Sequence, residues 1–363
     1  MKFSLFYELQ LDSPTRAKEA ALFPAVIEQI KLADRLGYHA VWVVEHHGLY
    51  EYSHSSAPEV LLGFAAAHTE NIRLGHGVTL LPHRYNHPIR VAERVATLDI
   101  LSRGRVNFGT GKSASSVEQL AFENDLSTLH EQWEEALRMI VGMWQSDVFE
   151  YKGRFFDVPP TQVVPRPLQS PHPPLYAACT RPDSAEAVGR LGLGALNFAL
   201  GSDDELSHKL ARYRAAVKQA KAQGSAIGAC VNDHFACTPL ALVLPDDTRA
   251  CRLGLRGARF FSEALNQYYF SGQRPVGPLA VPRDELDDAS LARAMRRRNT
   301  ADDKYNVCCG DPAFAREYIA RFQALGVDEL ILVMQMGTVP SEVVLESVRT
   351  FGEQVLPHFA DAS

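Results

Sequence analysis

Residues 40–47 read Ala40-Val41-Trp42-Val43-Val44-Glu45-His46-His47. The run from Val41 to Val44 is apolar without alternation, which predicts a parallel strand covered on both faces rather than one with a wet side. Such strands belong to α/β proteins. Polar groups are costly in a dry interior, so Glu45, His46 and His47 are expected where the strand emerges at its carboxyl end. Barrel enzymes keep their chemistry at that end. Successive strand residues point to opposite sides, so the two histidines do not both face one pocket. One is the site candidate and the other packs or supports it. On this stretch alone, two histidines satisfied by backbone at a strand end is an equally simple reading.

On the N-terminal side, Lys2 to Glu8 reads as a first strand and Phe23 to Leu36 as a helix with apolar spacing, stopped by Gly37. On the C-terminal side, Pro58 opens a helix through His68. Ile72 to Leu81 is a third strand interrupted by Gly75 and Gly77, a sign of a bulge or of close approach by a ligand or another backbone. Pro88 to Leu101 is a helix, and Arg105 to Phe108 a strand delivered into Gly109-Thr110-Gly111-Lys112-Ser113. That stretch ends like a P-loop, but the first glycine of the motif would fall on Val106, so the match fails. A lysine and backbone amides at a strand end remain a candidate anion site.

Thr128 to Trp144 has helical spacing, Val148 to Val158 reads as a hairpin, and Leu175 to Ala178 is a strand. Cys179 to Ser184 then opens a helix with Asp183 or Ser184 as N-cap. Hydroxyls and Arg181 at a helix N-terminus suit a phosphate, the plain alternative being capping beside a surface arginine. Strands over 195–200, 229–238 and 329–334 alternate with helices over 203–223, 247–269, 312–325 and 339–356. Residues 271–298 stand apart, rich in Gly and Pro and ending in Arg296-Arg297-Arg298. They read as a long, mobile, lid-like insertion, with the arginine run either part of it or a solvated face.

A length of 363 residues fits two average domains or one large barrel. Strand and helix alternate about eight times without a break in composition, so one (β/α)8 TIM barrel spanning 1–363 is expected. The net charge of -6 gives no basic footprint for nucleic acid, and no apolar run approaches membrane-spanning length. The N-terminus leads straight into a strand pattern, so a cytoplasmic protein is expected. The six cysteines show neither CxxC spacing nor pairing with spaced histidines, which predicts reduced thiols and no metal site.

The chain resembles the bacterial luciferase-like flavin monooxygenases over nearly its whole length. The resemblance rests on Met1-Lys2-Phe3, on Leu36-Gly37-Tyr38-His39-Ala40-Val41-Trp42 running into Glu45-His46-His47, and on Leu81-Pro82 with His87-Pro88. It continues in Ser102-Arg103-Gly104-Arg105 with Phe108-Gly109, in Pro174-Leu175-Tyr176 and in Gly326-Val327. It implies a (β/α)8 barrel, usually a homodimer, that takes reduced FMN from a separate flavin reductase. With O2, through a C4a-(hydro)peroxyflavin, it would oxygenate a small organic substrate, with an apolar or aromatic molecule favoured over a highly charged one. It puts the catalytic histidine on His46, the flavin phosphate on Lys112, Thr180, Arg181 and Ser184, and a non-proline cis peptide beside the flavin ring on Gly77-Val78. The catalytic luciferase subunit carries a reactive cysteine where this chain has Gly111, and a glutamate in the phosphate loop where it has Thr180. These departures count against light emission and a long-chain aldehyde substrate, while the flavin site itself is still implied. Two other readings share the barrel: a deazaflavin-dependent hydride-transfer enzyme, and a noncatalytic supporting subunit.

Overall fold

The stretch 40–47 becomes the second strand of a closed barrel and its exit. The computed structural model describes the chain apart from residues 180–181, 199–201, 301–302, 304–305 and 360–363. Among the described residues eight strands close the barrel: β1 (Lys2–Tyr7), β2 (Ala40–Val43), β3 (Arg73–Leu80), β4 (Val106–Gly111), β5 (Leu175–Ala178), β6 (Gly194–Phe198), β7 (Phe235–Thr238) and β8 (Glu329–Leu332). Each pairs in parallel with the next, and β8 returns to β1 through the register Lys2 to Glu329.

The helices in chain order are α1 (Arg16–Arg35), α2 (Pro58–His68), α3 (Pro88–Leu101), α4 (Ser116–Ala121), α5 (Leu129–Gln145), α6 (Pro182–Arg190), α7 (Asp203–Gln223), α8 (Asp247–Tyr269), α9 (Asp288–Arg297), α10 (Pro312–Leu325) and α11 (Ser341–Gln354). None is long and apolar enough to cross a membrane. An antiparallel hairpin (Phe149–Lys152 with Asp157–Thr161) stands outside the barrel, and a parallel patch pairs Ala241–Val243 with Cys308–Gly310.

Local chemistry accounts for the boundaries. Thr15 caps α1 by accepting from the Lys18 N–H at 3.3 Å, which starts that helix seven residues before the expected Phe23. Ser202 and Glu205 form a reciprocal capping box on α7, and Gly326 ends α10 at φ 85°. Strand β4 runs on through Gly109 to Gly111, beyond the Phe108 at which the strand was expected to end.

The barrel interior is filled rather than hollow. Trp42 is fully buried, donates from Nε1 to Glu329 Oε1 at 2.9 Å and meets Tyr176 edge-on at 5.0 Å. It needs Gly75 opposite, because a Cβ there would lie 2.4 Å from its ring. Phe6 and Phe198 meet at 6.1 Å although β1 and β6 are not neighbours, so both point inward.

The segment after α8, expected as a lid-like insertion, contains a helix, since residues 288–297 form α9, capped by Asp287. The arginine run is not simply a solvated face, because Arg298 holds Asp247 through two nitrogens at 2.6 and 2.8 Å and lies over the Phe314 ring. Nearer the barrel, the fully buried Glu51 carboxylate receives Arg283 at 2.7 and 2.8 Å, Ser13 N–H at 2.8 Å and Leu279 N–H at 2.6 Å. Truncating it removes hydrogen bonds to a charged group. Glu51→Ala should therefore speed proteolytic cleavage within residues 271–287 by at least about tenfold. Equal cleavage rates in wild type and variant would show that Glu51 does not hold the segment.

Candidate active site

The sequence-predicted residues fall at the carboxyl ends of four consecutive strands. His46 lies three residues past β2, Gly77 and Val78 lie in β3, Lys112 follows β4, and Ser184 lies in the first turn of α6 after β5. The Gly77-Val78 peptide bond is cis. Thr180 and Arg181 lie outside the described residues. Helix α6 begins at Pro182, so Asp183 and Ser184 sit inside its first turn instead of capping it, in line with the preference of proline for the first helical position. Gly111 has a steric reason: a Cβ there would lie 2.5 Å from Val78 Cγ2.

The two histidines separate as strand alternation predicts, although regular strand geometry ends at Val43. His46 turns to a buried cluster. Its Nδ1 lies 2.9 Å from Glu118 Oε1, and its Nε2 lies 3.5 Å from Glu8 Oε2. The Tyr269 hydroxyl, on the last residue of α8, lies 3.0 Å from Nε2 and 3.4 Å from Nδ1. His47 turns the other way, packing on Phe122 at 4.8 Å and parallel to Tyr85, with Nε2 3.2 Å from Glu45 Oε1. Glu45 ties the strand ends together, accepting from the Leu80 N–H and from Asn86 Nδ2, each at 2.8 Å.

The carboxylates beside His46 live in different surroundings. Glu118 accepts from Ser113 Oγ at 2.6 Å and the His47 N–H at 2.8 Å as well as from His46. Burial would raise its pKa, but the charge and hydrogen bond of His46, with the bonds from Ser113 and His47, hold it below the ordinary carboxylate range. Glu8 accepts a single side-chain bond, from the Tyr52 hydroxyl to Oε1 at 3.0 Å, and burial pushes it up to about 7 against the opposing pull of His46 and Tyr52. For His46, burial alone would lower the pKa. The charges of Glu118 and Glu8, the Glu118 hydrogen bond and the charge of Glu45 outweigh it and hold the imidazole up to about 9. At neutral pH the ring is therefore a proton donor held between acceptors, and a pair of carboxyls with diverging pKa values beside it is the usual arrangement for acid–base work.

Sequence reasoning missed Glu8, Glu118, Tyr52 and Tyr269. Glu8 carried a usable signal, since it follows the apolar run Phe3 to Tyr7 as Glu45 follows Val41 to Val44. The others had none. Among the described residues no group of three His, Cys, Asp or Glu side chains is placed to hold a metal ion, and all six cysteines are free thiols.

A profile of the luciferase-like monooxygenase family matches residues 1–329. A flavin-dependent trigonelline monooxygenase, oxygenase component, of Acinetobacter baylyi is 33% identical over 214 residues, 58% of this chain and 58% of that protein. An F420-dependent hydroxymycolic acid dehydrogenase of Mycobacterium tuberculosis is 28% identical over 207 residues, 56% of each chain. In both cases the matched stretch spans little more than half of the relative. The crystal structure of a monooxygenase from Streptomyces bottropensis superimposes with a TM-score of 0.81 at 26% identity, covering 99% of this chain and 100% of that one. With the barrel and the family profile in agreement along the chain, this protein belongs to the luciferase-like monooxygenases.

Proposed function

We propose that the chain is the oxygenase component of a two-component flavin-dependent monooxygenase. It would take reduced FMN from a separate reductase and use O2 to oxygenate a small apolar or aromatic organic substrate. The observation that carries this reading is the meeting of a proton-holding histidine cluster with phosphate-type donors on consecutive strand ends. The donor set suits FMN: Lys112 directly follows β4, Ser184 lies in the first turn of α6, and a helix N-terminus favours an anion. Thr180 and Arg181 join that set from the sequence alone. Reduced FMN, when bound, would supply the activation of O2, which is the cofactor's own chemistry. The chain's residues would shelter and orient it. His46 would hold or return a proton at Nε2, with Glu118 fixing Nδ1. The inward rings of Phe6 and Phe198, the buried ring of Tyr52 and the half-buried ring of Tyr269 would keep water from the reacting centre.

A homodimer belongs to the same reading, because Val60 and Phe64 on α2 and Leu101 on α3 expose apolar side chains that a second copy would cover. It also assigns the protein and its reductase to the cytoplasm.

The test is to mix the pure protein anaerobically with reduced FMN, admit O2 and follow flavin reoxidation and hydrogen peroxide release. Both should be delayed relative to free reduced FMN. Reoxidation at the free rate, together with tight binding of a reduced deazaflavin, would turn the reading to hydride transfer. A second expectation concerns the phosphate. Lys112→Ala and Arg181→Ala should each weaken reduced FMN binding by about 1.5 to 3 kcal/mol, the range for hydrogen bonds to charged groups. Unchanged affinity in both variants by titration would send the phosphate elsewhere.

A further inference from the structure

Glu8 has no place in the reading above. His46 is flanked by two carboxylates, and the second is arranged unlike the first. Three donors from two segments, His46 and His47 after β2 and Ser113 after β4, satisfy Glu118. Glu8 is 1% exposed, and among the described residues its buried Oε2 has no hydrogen-bond donor while facing His46 Nε2 at 3.5 Å. A buried carboxylate oxygen without a donor is costly as an anion and cheap as an acid, so this oxygen is suited to hold a proton. The nitrogen opposite it is the one with which that proton can be traded.

The chain spends structure on this arrangement. Ser53 Oγ donates to the Glu8 carbonyl at 2.7 Å and Tyr52 holds Oε1, so one loop fixes both ends of the residue. Leu9, directly after it, is fully buried at φ 59°, a conformation bulky residues rarely adopt and one that gathers at functional sites.

Building on the assignment of His46 as the acid–base residue, we infer that Glu8 is a second proton-holding residue of the site, exchanging a proton between its Oε2 and His46 Nε2 while Glu118 fixes the ring. The exchange is balanced: once His46 has given up its Nε2 proton, the Oε2–H bond breaks as a new Nε2–H bond forms, and the reverse transfer returns the proton to Glu8 without any redox change. The groups facing this pair are Glu118 from α4, Tyr269 from α8, Tyr52 from the loop after β2, and Glu45 beside His46 itself. Burial holds the Tyr52 and Tyr269 phenols well above their ordinary value, so both stay neutral neighbours. Through Glu8, a proton spent by His46 can be replaced from inside the cluster when bulk water is shut out.

The experiment follows the His46 ring nitrogens by NMR across pH in the 15N-histidine-labelled full chain, as wild type, Glu8→Gln and Tyr52→Phe. Wild-type His46 should respond in two steps, one from Glu8 and one from its own ring. Glu8→Gln keeps the acceptor for Tyr52 and should abolish the first step, moving the ring titration down by about one pH unit through loss of a neighbouring charge. Tyr52→Phe removes the bond to Oε1 and should move the first step to higher pH, and it serves as the test if Glu8→Gln does not fold. A His46 titration unaltered by Glu8→Gln, or unaltered by Tyr52→Phe, overturns the inference. Product and peroxide are measured on the same samples supplied with reduced FMN. Glu8→Gln should lower product yield about ten- to a hundredfold and shift its pH optimum, with flavin affinity unchanged. Coupled titration without product from wild type supports the Glu8 inference and sinks the monooxygenase reading, while product without coupled titration sinks only the Glu8 inference.

Discussion

His46→Ala should lower product formation by about two to four orders of magnitude, the usual contribution of a positioned acid or base. Reduced FMN affinity should stay close to wild type, because Lys112 and α6 lie on the neighbouring β4 and β5 ends. The fold should survive as well. Removing the imidazole leaves two buried carboxylates near each other, but Glu118 keeps its bonds from Ser113 and His47, and Glu8 relieves the repulsion by taking up a proton. Hydrogen peroxide release should persist or rise, since oxygen activation is the flavin's contribution and productive transfer is the site's. His47→Ala is the control. Its ring packs on Tyr85 and Phe122 and faces Glu45, so its loss should appear mainly as lower stability. Measuring product and peroxide side by side in both variants decides the matter: wild-type yield in His46→Ala, or a larger catalytic defect in His47→Ala, would mean the other histidine does the chemistry.

The largest expected loss of stability is at Gly109→Ala. A Cβ at Gly109 would lie 2.1 Å from the His76 carbonyl oxygen of the neighbouring strand β3. The obstacle is backbone held in a parallel ladder, so it cannot swing aside as a side chain would. The cost should reach about 3 kcal/mol, the upper part of the range for overpacking. Urea unfolding should show it as a lower midpoint. Gly63→Ala in α2 gives the contrast, because a Cβ there meets nothing within 4 Å; it should be neutral or stabilising, by up to about 1 kcal/mol. Equal midpoints for the two variants would show that β3 and β4 shift apart at little cost.

The sequence announces the barrel because its strands carry their signal locally. The unbroken apolar run before Glu45, the proline-opened helices at Pro58 and Pro88, and the glycine stops at Gly37 and Gly326 each bound an element without help from the rest of the chain. His46 and His47 do turn to opposite sides, although the strand itself ends at Val43 and the exit loop sets their directions. Where the reading fell short, the missing information was distance in sequence. Glu118 reaches His46 across 72 residues and Tyr269 across 223, and neither sits in a pattern that spacing reveals. Helix α4, which carries Glu118, is only six residues long and is held by its surroundings more than by its own periodicity. The Glu51 to Arg283 latch spans 232 residues, so the segment it pins down read as free.

Trp42 governs traffic. Fully buried inside the barrel and bonded to Glu329, it fills the axis, and His234 bonds the same glutamate. Anything bound at the ends of β2 to β5 then arrives and departs through one doorway at the carboxyl rim. On the proposed function, a flat flavin seated across those ends and a substrate resting over it would be unable to pass each other there. Binding would be ordered, with the cofactor first in and last out, and excess substrate would trap the cofactor rather than compete with it.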